Sequence, residues 1–246
     1  MSAAYAFATP VLGAQAQLSL LAGYGRTVAA LNGTITINPG DITATRNISD
    51  STWGFTDLFP MLALRWNSGV HNYMAYISGD IPVGTYNASQ LANVGIGHGA
   101  IDVGGGYTYF NQQTGHEFSA VVGFTGNFTN TSTQYRNGVD SHLDWGASQF
   151  LSKESFVGLV GYAYQEIGCD SGSGDRIGCF RSRVFGIGPQ VGFIFPVGDK
   201  QGYLNFKGYK EFGAHDRPEG WNVWATFAIS PAPPPPTSPP NRMMTK

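Results

Sequence analysis

Residues 97–128 read GHGAIDVGGGYTYFNQQTGHEFSAVVGFTGNF. Two strand-like runs flank a short turn, Gln112-Gln113-Thr114-Gly115. In the first run Ile101, Val103, Tyr107 and Tyr109 fall on one face, and His98, Asp102 and Thr108 fall on the other with Gly104 and Gly106. In the second, Phe118, Ala120, Val122, Phe124 and Phe128 alternate with Glu117, Ser119, Thr125 and Asn127. One face is apolar with aromatics near its ends; the other is small and polar. A soluble sandwich has this period with its apolar face inward. A membrane barrel reverses it, apolar toward lipid and polar toward the lumen. The period alone does not choose between them.

Working outward, the 246-residue chain suits one large all-β domain better than two. Its 34 glycines are about twice average usage, and its 12% of charged residues about half. Aromatics reach 13%. These proportions suit a barrel wall with little water-facing surface and do not suit a disordered chain. The net charge of -2 gives no electrostatic footprint for nucleic acid. No run of about 18 apolar residues exists, so any passage through a bilayer has to be made by strands.

The alternation predicts eleven strands, at about 10–30, 34–46, 55–66, 70–81, 97–111, 116–128, 139–151, 156–167, 180–195, 202–212 and 220–230. Asn32-Gly33 reads as a two-residue hairpin turn, 47–53 as a loop, and Pro39-Gly40 as an interruption of the second strand. The run 156–167 is apolar on both faces. The Pro-rich segment 231–246 cannot join a sheet and reads as a disordered tail.

Strands of 10 to 16 residues are long for a soluble protein and right for a tilted membrane strand. Short turns after Ala30, Trp66, Asn111, Ser152 and Pro196 alternate with longer loops after Arg46, Ile81, Phe128, Ile167 and Phe212. Outer-membrane barrels alternate in this way, with short periplasmic turns and longer external loops. The expected fold is therefore an antiparallel up-and-down transmembrane β-barrel over 1–230. Eleven strands is odd, and the first would start outside. The sequence also has no Lys or Arg before Arg26 to make a signal peptide. The expectation is eleven visible strands of twelve, with an N-terminal strand and signal peptide missing. The alternative is an over-counted strand near Pro39.

Several long motifs carry a resemblance: LRWNSGVHNYMAYISGDIPVGTY (64–86), LANVGIGHGAIDVGGGYTYF (91–110), TGHEFSAVVGFT (114–125), HLDWGASQFLS (142–152), GIGPQVGFIFPVGDKQGYLNFKGYKEF (186–212) and RPEGWNVWATFAISP (217–231). Over about residues 9–231 the chain resembles the phenol meta-pathway outer-membrane family, usually labelled transporters. The resemblance implies a β-barrel in the bacterial outer membrane that admits small hydrophobic or aromatic molecules. It implies no enzyme activity and no cofactor. Cys169 and Cys179 lie outside the family's pattern. In an oxidising compartment they could close a loop; the alternative is two free thiols.

The lumen candidates are Arg65, His98, Asp102, Glu117, His142, Asp144, Gln190, Lys207 and Glu211. Their mixed charge argues against a strongly ion-selective pore, and the same residues could form a network that plugs the barrel. Tyr73, Tyr107, Tyr109, Trp145 and Trp221 read as interfacial girdle rather than a substrate stack. A barrel-borne lipid hydrolase is a third reading, because His142, Asp144 and Ser148 share a face, as do His98 and Asp102. Residues i and i+2 on a strand lie about 7 Å apart, too far for a direct nucleophile–base bond, and there is no GxSxG elbow. Lumen polar residues pairing across strands are the preferred account. The five histidines show no metal-ligand spacing.

Overall fold

In the computed structural model, residues 1–37, 42–176 and 178–231 are described. They form thirteen strands and no helix: β1 Ser2–Ala6, β2 Gln15–Leu21, β3 Tyr24–Ile37, β4 Ile42–Phe55, β5 Phe59–Ser68, β6 His71–Asp80, β7 Ala100–Asn111, β8 His116–Asn127, β9 Asp140–Phe150, β10 Ser155–Glu166, β11 Arg183–Val197, β12 Lys200–His215 and β13 Trp221–Pro231. Eleven make one antiparallel sheet in the order β1-β2-β5-β6-β7-β8-β9-β10-β11-β12-β13, and β3 pairs only with β4. β1 and β13 are the sheet's two edges. The tail expected at 231–246 and the interruption at Pro39-Gly40 lie outside the described residues, apart from Pro231, which ends β13.

From β5 onward the strands follow the predicted alternation. Consecutive strands pair in antiparallel register, and 69–70, 112–115, 151–154 and 198–199 are the tight turns. Gly69, Gly115 and Gly198 take positive φ there, which a Cβ would strain. The longer loops are 81–99, 128–139 and 167–182.

The first third is different. Asn32 and Gly33 do not turn the chain; they lie within β3, opposite Asn47 and Arg46. The predicted loop 47–53 is part of β4. The three strands expected across 10–66 are two long arms, β2–β3 and β4–β5. In each arm the wall strand continues into an overhanging one. The register changes by one at the junction, so Ala22-Gly23 oppose Thr56-Asp57-Leu58. This bulge lets Leu58 leave the arm and pair with Ile81, while Thr56 N still reaches Gly23 O at 2.9 Å. β1, which the alternation does not predict, pairs with β2.

The burial is inside out. Most buried residues are small or polar, among them Ala14, Ala63, Asp57, Asn127 and Asn205, with Val184, Val160 and Phe156 the large apolar exceptions, while other large apolar side chains face outward along every wall strand. Val122 and Phe124 of β8 are each 47% exposed. The run 156–167 also resolves, with Phe156 and Val160 buried inward and Val157 and Leu159 facing out. Side chains on the polar face reach past their neighbouring strands. His142 of β9 contacts Asp102 of β7, and Asn222 of β13 donates to Tyr162 of β10. One cavity takes its lining from β6 through β12, which requires this face to be concave.

Candidate channel interior

The concave face carries a series of cavities. At the loop end, one of about 740 Å³ lies between loops and is lined by Tyr86, Ile96, His98, Asn127, Tyr135, Asp140 and Arg176. A narrower one of about 290 Å³ shares Ile96 and Asn127 with it and adds Asp80, Asp102 and His142. Toward the tight turns, a chamber of about 500 Å³ is lined by Phe110, Phe150, Phe156, Tyr203 and Tyr209 with Glu117, Ser148, Gln190 and Lys207. A further one of about 520 Å³ holds Arg65, Met74 and Gln15, and shares Asn72 and Thr108 with the chamber.

All nine lumen candidates sit on this face or at its mouth, in distinct groups. Asp102, His142 and Asp144 meet. His142 Nε2 lies 2.9 Å from Asp102 Oδ2, its Nδ1 lies 3.7 Å from Asp144 Oδ2, and Thr125 donates to Asp102 at 2.7 Å. Tyr76 Oη of β6 is 3.5 Å from the same His142 Nε2. This cluster lies along the wall because Gly104 and Gly123 leave it room; a methyl at Gly123 would overlap both the Tyr76 hydroxyl and the His142 ring. Tyr162 lies against Gly186 and Phe156 against Gly192 in the same way. Glycine on the inner face is thus a trough for rings.

Gln190 Nε2 donates to Ser148 Oγ at 2.9 Å and its Oε1 accepts from the fully buried Asn205 at 3.3 Å. Glu117 accepts from Ser119, which also bonds Thr108. Glu211 accepts from Tyr162 at 2.5 Å and from Gly220 N at 2.7 Å. His98 lies in the loop before β7, not in a strand, with Nε2 3.3 Å from Asn127 Oδ1. Arg65 and Lys207 line the interior, and neither makes an ion pair or a side-chain hydrogen bond among the described residues. No cluster of three or more metal-binding side chains occurs among the described residues.

The hydrolase constellation does not assemble. Both His142 nitrogens face carboxylates, and Ser148 is occupied by Gln190. Six residues along a strand separate Ser148 from His142 by roughly 20 Å. Two clusters of aromatics stand near the ends of the strands. Tyr73, Tyr107 and Tyr109 gather around His71 at the tight-turn end, with His71 Nδ1 2.8 Å from Tyr107 Oη. Tyr24, Trp53 and Phe55 gather at the base of the overhang.

Sequence reasoning missed Tyr76, Asp80, Phe110, Phe156, Tyr203 and Tyr209 as interior residues. Tyr76 and Asp80 share strand parity with Asn72, which could have placed them. Phe156 offered no such signal because its strand is apolar on both faces.

The loop end is tied together by polar groups. Asp57, aimed by the bulge and 2% exposed, accepts from Gly84 N at 2.7 Å and Ile96 N at 2.8 Å. Asp50 of β4 accepts from Leu91 N at 3.0 Å and Ala92 N at 3.1 Å, and the Ala92 amide is the largest influence holding its carboxyl below the ordinary value. Asn127 donates to Gly138 O and Asp140, and Tyr164 donates to Asp140 at 2.6 Å. Cys169 and Cys179 are joined in a disulfide.

A membrane-type β-protein with a water-facing interior is what this arrangement defines. Residues 2–227 match the family described as "Putative MetA-pathway of phenol degradation", and the chain belongs to that family. Its fold is similar to that of the COG4313 outer membrane channel from Pseudomonas putida F1, with a TM-score of 0.66 at 12% identity over 93% of this chain and 79% of that one. No curated protein matches the chain in sequence. Family and fold together place it among outer-membrane β-proteins.

Proposed function

We propose that the chain is a passive outer-membrane channel for small hydrophobic or aromatic compounds, with no reaction, cofactor or energy source. One observation carries this reading: an aromatic chamber, Phe110, Phe150, Phe156 and Tyr203, set within an otherwise polar interior. The rings follow one another, with centroids 5.0, 4.9 and 6.2 Å apart. An apolar ring substrate gains contact there over a sugar or ion of the same size. Lys207 and Glu117 on the same walls keep the chamber wet. The match to a phenol-degradation family supports an aromatic cargo, and the likeness to an outer membrane channel supports passage through the wall.

The test is flux into liposomes carrying the chain. Phenol entry should exceed that of glucose, and Phe156→Ala should lower the preference while leaving glucose leak unchanged or raised. Equal and negligible flux of both solutes would favour the structural barrel with a plugged lumen.

A further inference from the structure

One cluster at the loop end belongs to neither the wall nor the path. Glu166 closes β10, and Asp170 follows four residues later beside the disulfide-bonded Cys169. Both carboxylates accept from one donor, the Gly138 N–H, with Glu166 Oε1 at 3.0 Å and Asp170 Oδ1 at 2.9 Å. Glu166 Oε2 also accepts from Ser182 N at 3.3 Å. Glu166 is 4% exposed and Asp170 8%.

Two acids this close and this buried cannot both stay charged without compensation. Among the described residues no Lys, Arg or His forms an ion pair with either. A second observation is independent of the pairing. Asp170 Oδ2 is fully buried and makes no hydrogen bond of ordinary geometry, with the Tyr135 phenol and the Glu166 carboxyl as close polar neighbours of this side chain. Such an acceptor costs stability unless something fills its place.

The corner is rich in oxygen and contains no free sulfur. A methyl at Gly138 would come within 2.5 Å of the Gly168 carbonyl oxygen and 2.8 Å of Glu166 Oε1, so a main-chain oxygen closes the same space. The Tyr135 phenol faces Asp170; burial first and then this carboxylate hold its pKa above the usual value. Carboxylate, carbonyl and phenol oxygens suit a hard divalent cation and not zinc or copper. We infer that Glu166 and Asp170 bind a calcium-type divalent cation that pins loop 167–182 to the end of β10 at the mouth of the path. With only two carboxylates the site belongs to the weak, extracellular class, ~10⁻⁴–10⁻³ M. The disulfide and the close seating of Gly172 and Gly174 on residues 133–134 hold the loop in place before the ion arrives.

The test uses the full chain in detergent micelles after chelator treatment. Terbium, excited through tyrosine, should give a saturable emission that calcium displaces and potassium does not. Calcium should slow protease nicking within 167–182. Asp170→Asn and Glu166→Gln should each abolish both effects. Each removes one of two repelling carboxylates, so the wall is expected to stay folded, which its protease resistance reports. Tyr135→Phe should dim the emission and keep the calcium protection. No calcium response in the wild-type chain, or an undiminished one in Asp170→Asn, would overturn the assignment. So would nicking that ignores calcium but accelerates as pH rises above neutrality, since that marks a proton shared by the pair.

Discussion

The wall strands β7–β10 and the overhanging hairpin β3–β4 are made of similarly long, well-paired strands, yet they obey different rules. In the wall, Val103, Val122, Phe124 and Leu159 line one face without a break, while Asp102, Glu117, Thr125 and Ser148 line the other. In the overhang that order breaks beyond Tyr24, Trp53 and Phe55, where Arg26, Val28, Ser51 and Ser49 mix on the same face. A strand alternates strictly only where its two faces meet different media. Beyond the aromatic base both faces meet water, and the ladder is held by main-chain pairing and by the Asp50 and Asp57 ties to loop 81–99.

The sharpest way to break this comparison is to put the same charge in both regions. Val122→Arg, on the outward face of β8, should destabilise the folded chain in lipid by about 2–4 kcal/mol. Val28→Arg in the overhang should change it by less than about 0.5 kcal/mol. Urea unfolding in bilayers measures both, and equal effects would erase the distinction.

The ties themselves come next. Asp57→Ala leaves the Gly84 and Ile96 amides without their acceptor, a cost of about 3 kcal/mol. It should free loop 81–99 for proteolysis while β7–β12 stay protected; hydrogen exchange at Gly84 and Ile96 reads the loss directly. Cys169→Ser opens a loop of 10 residues' separation and should cost about 2 kcal/mol. Cleavage confined to 167–182 is the expected pattern.

The smallest effect is a pH dependence. Asp50 is held below its ordinary value when loop 81–99 is docked. Its contribution is therefore fully present above the ordinary carboxylate value of 3.8 and lost as pH falls through the lower docked value. Nicking of loop 81–99 should rise below about pH 4, and Asp50→Asn should flatten that part of the profile.

The same contrast explains what the sequence discloses. β7, β8 and β9 are legible because lipid and lumen impose opposite chemistry on alternate residues. Asn32-Gly33 misleads because a good hairpin pair in an overhang, exposed on both faces, is free to remain extended when a longer ladder outweighs its local preference. β1 is five exposed residues with no periodic contrast. Of the interior, charged residues such as Asp102, His142 and Lys207 announce themselves. The chamber's rings do not, since Phe156 and Phe110 resemble lipid-facing residues until register assigns their side. Glu166 and Asp170 lie four residues apart, but their shared donor, the Gly138 N–H, reaches them from another loop, which the sequence does not disclose.

The most direct test of the central claim, a polar concave face lining a water-filled interior with lipid outside, is a cysteine scan of β8 from Glu117 to Thr125. The native cysteines are paired with each other, so each substituted thiol reports alone. In proteoliposomes, Glu117, Ser119, Val121 and Thr125 positions should react with a small water-soluble maleimide, and Phe118, Val122 and Phe124 positions should resist it. Uniform labelling, or the opposite alternation, would contradict the account.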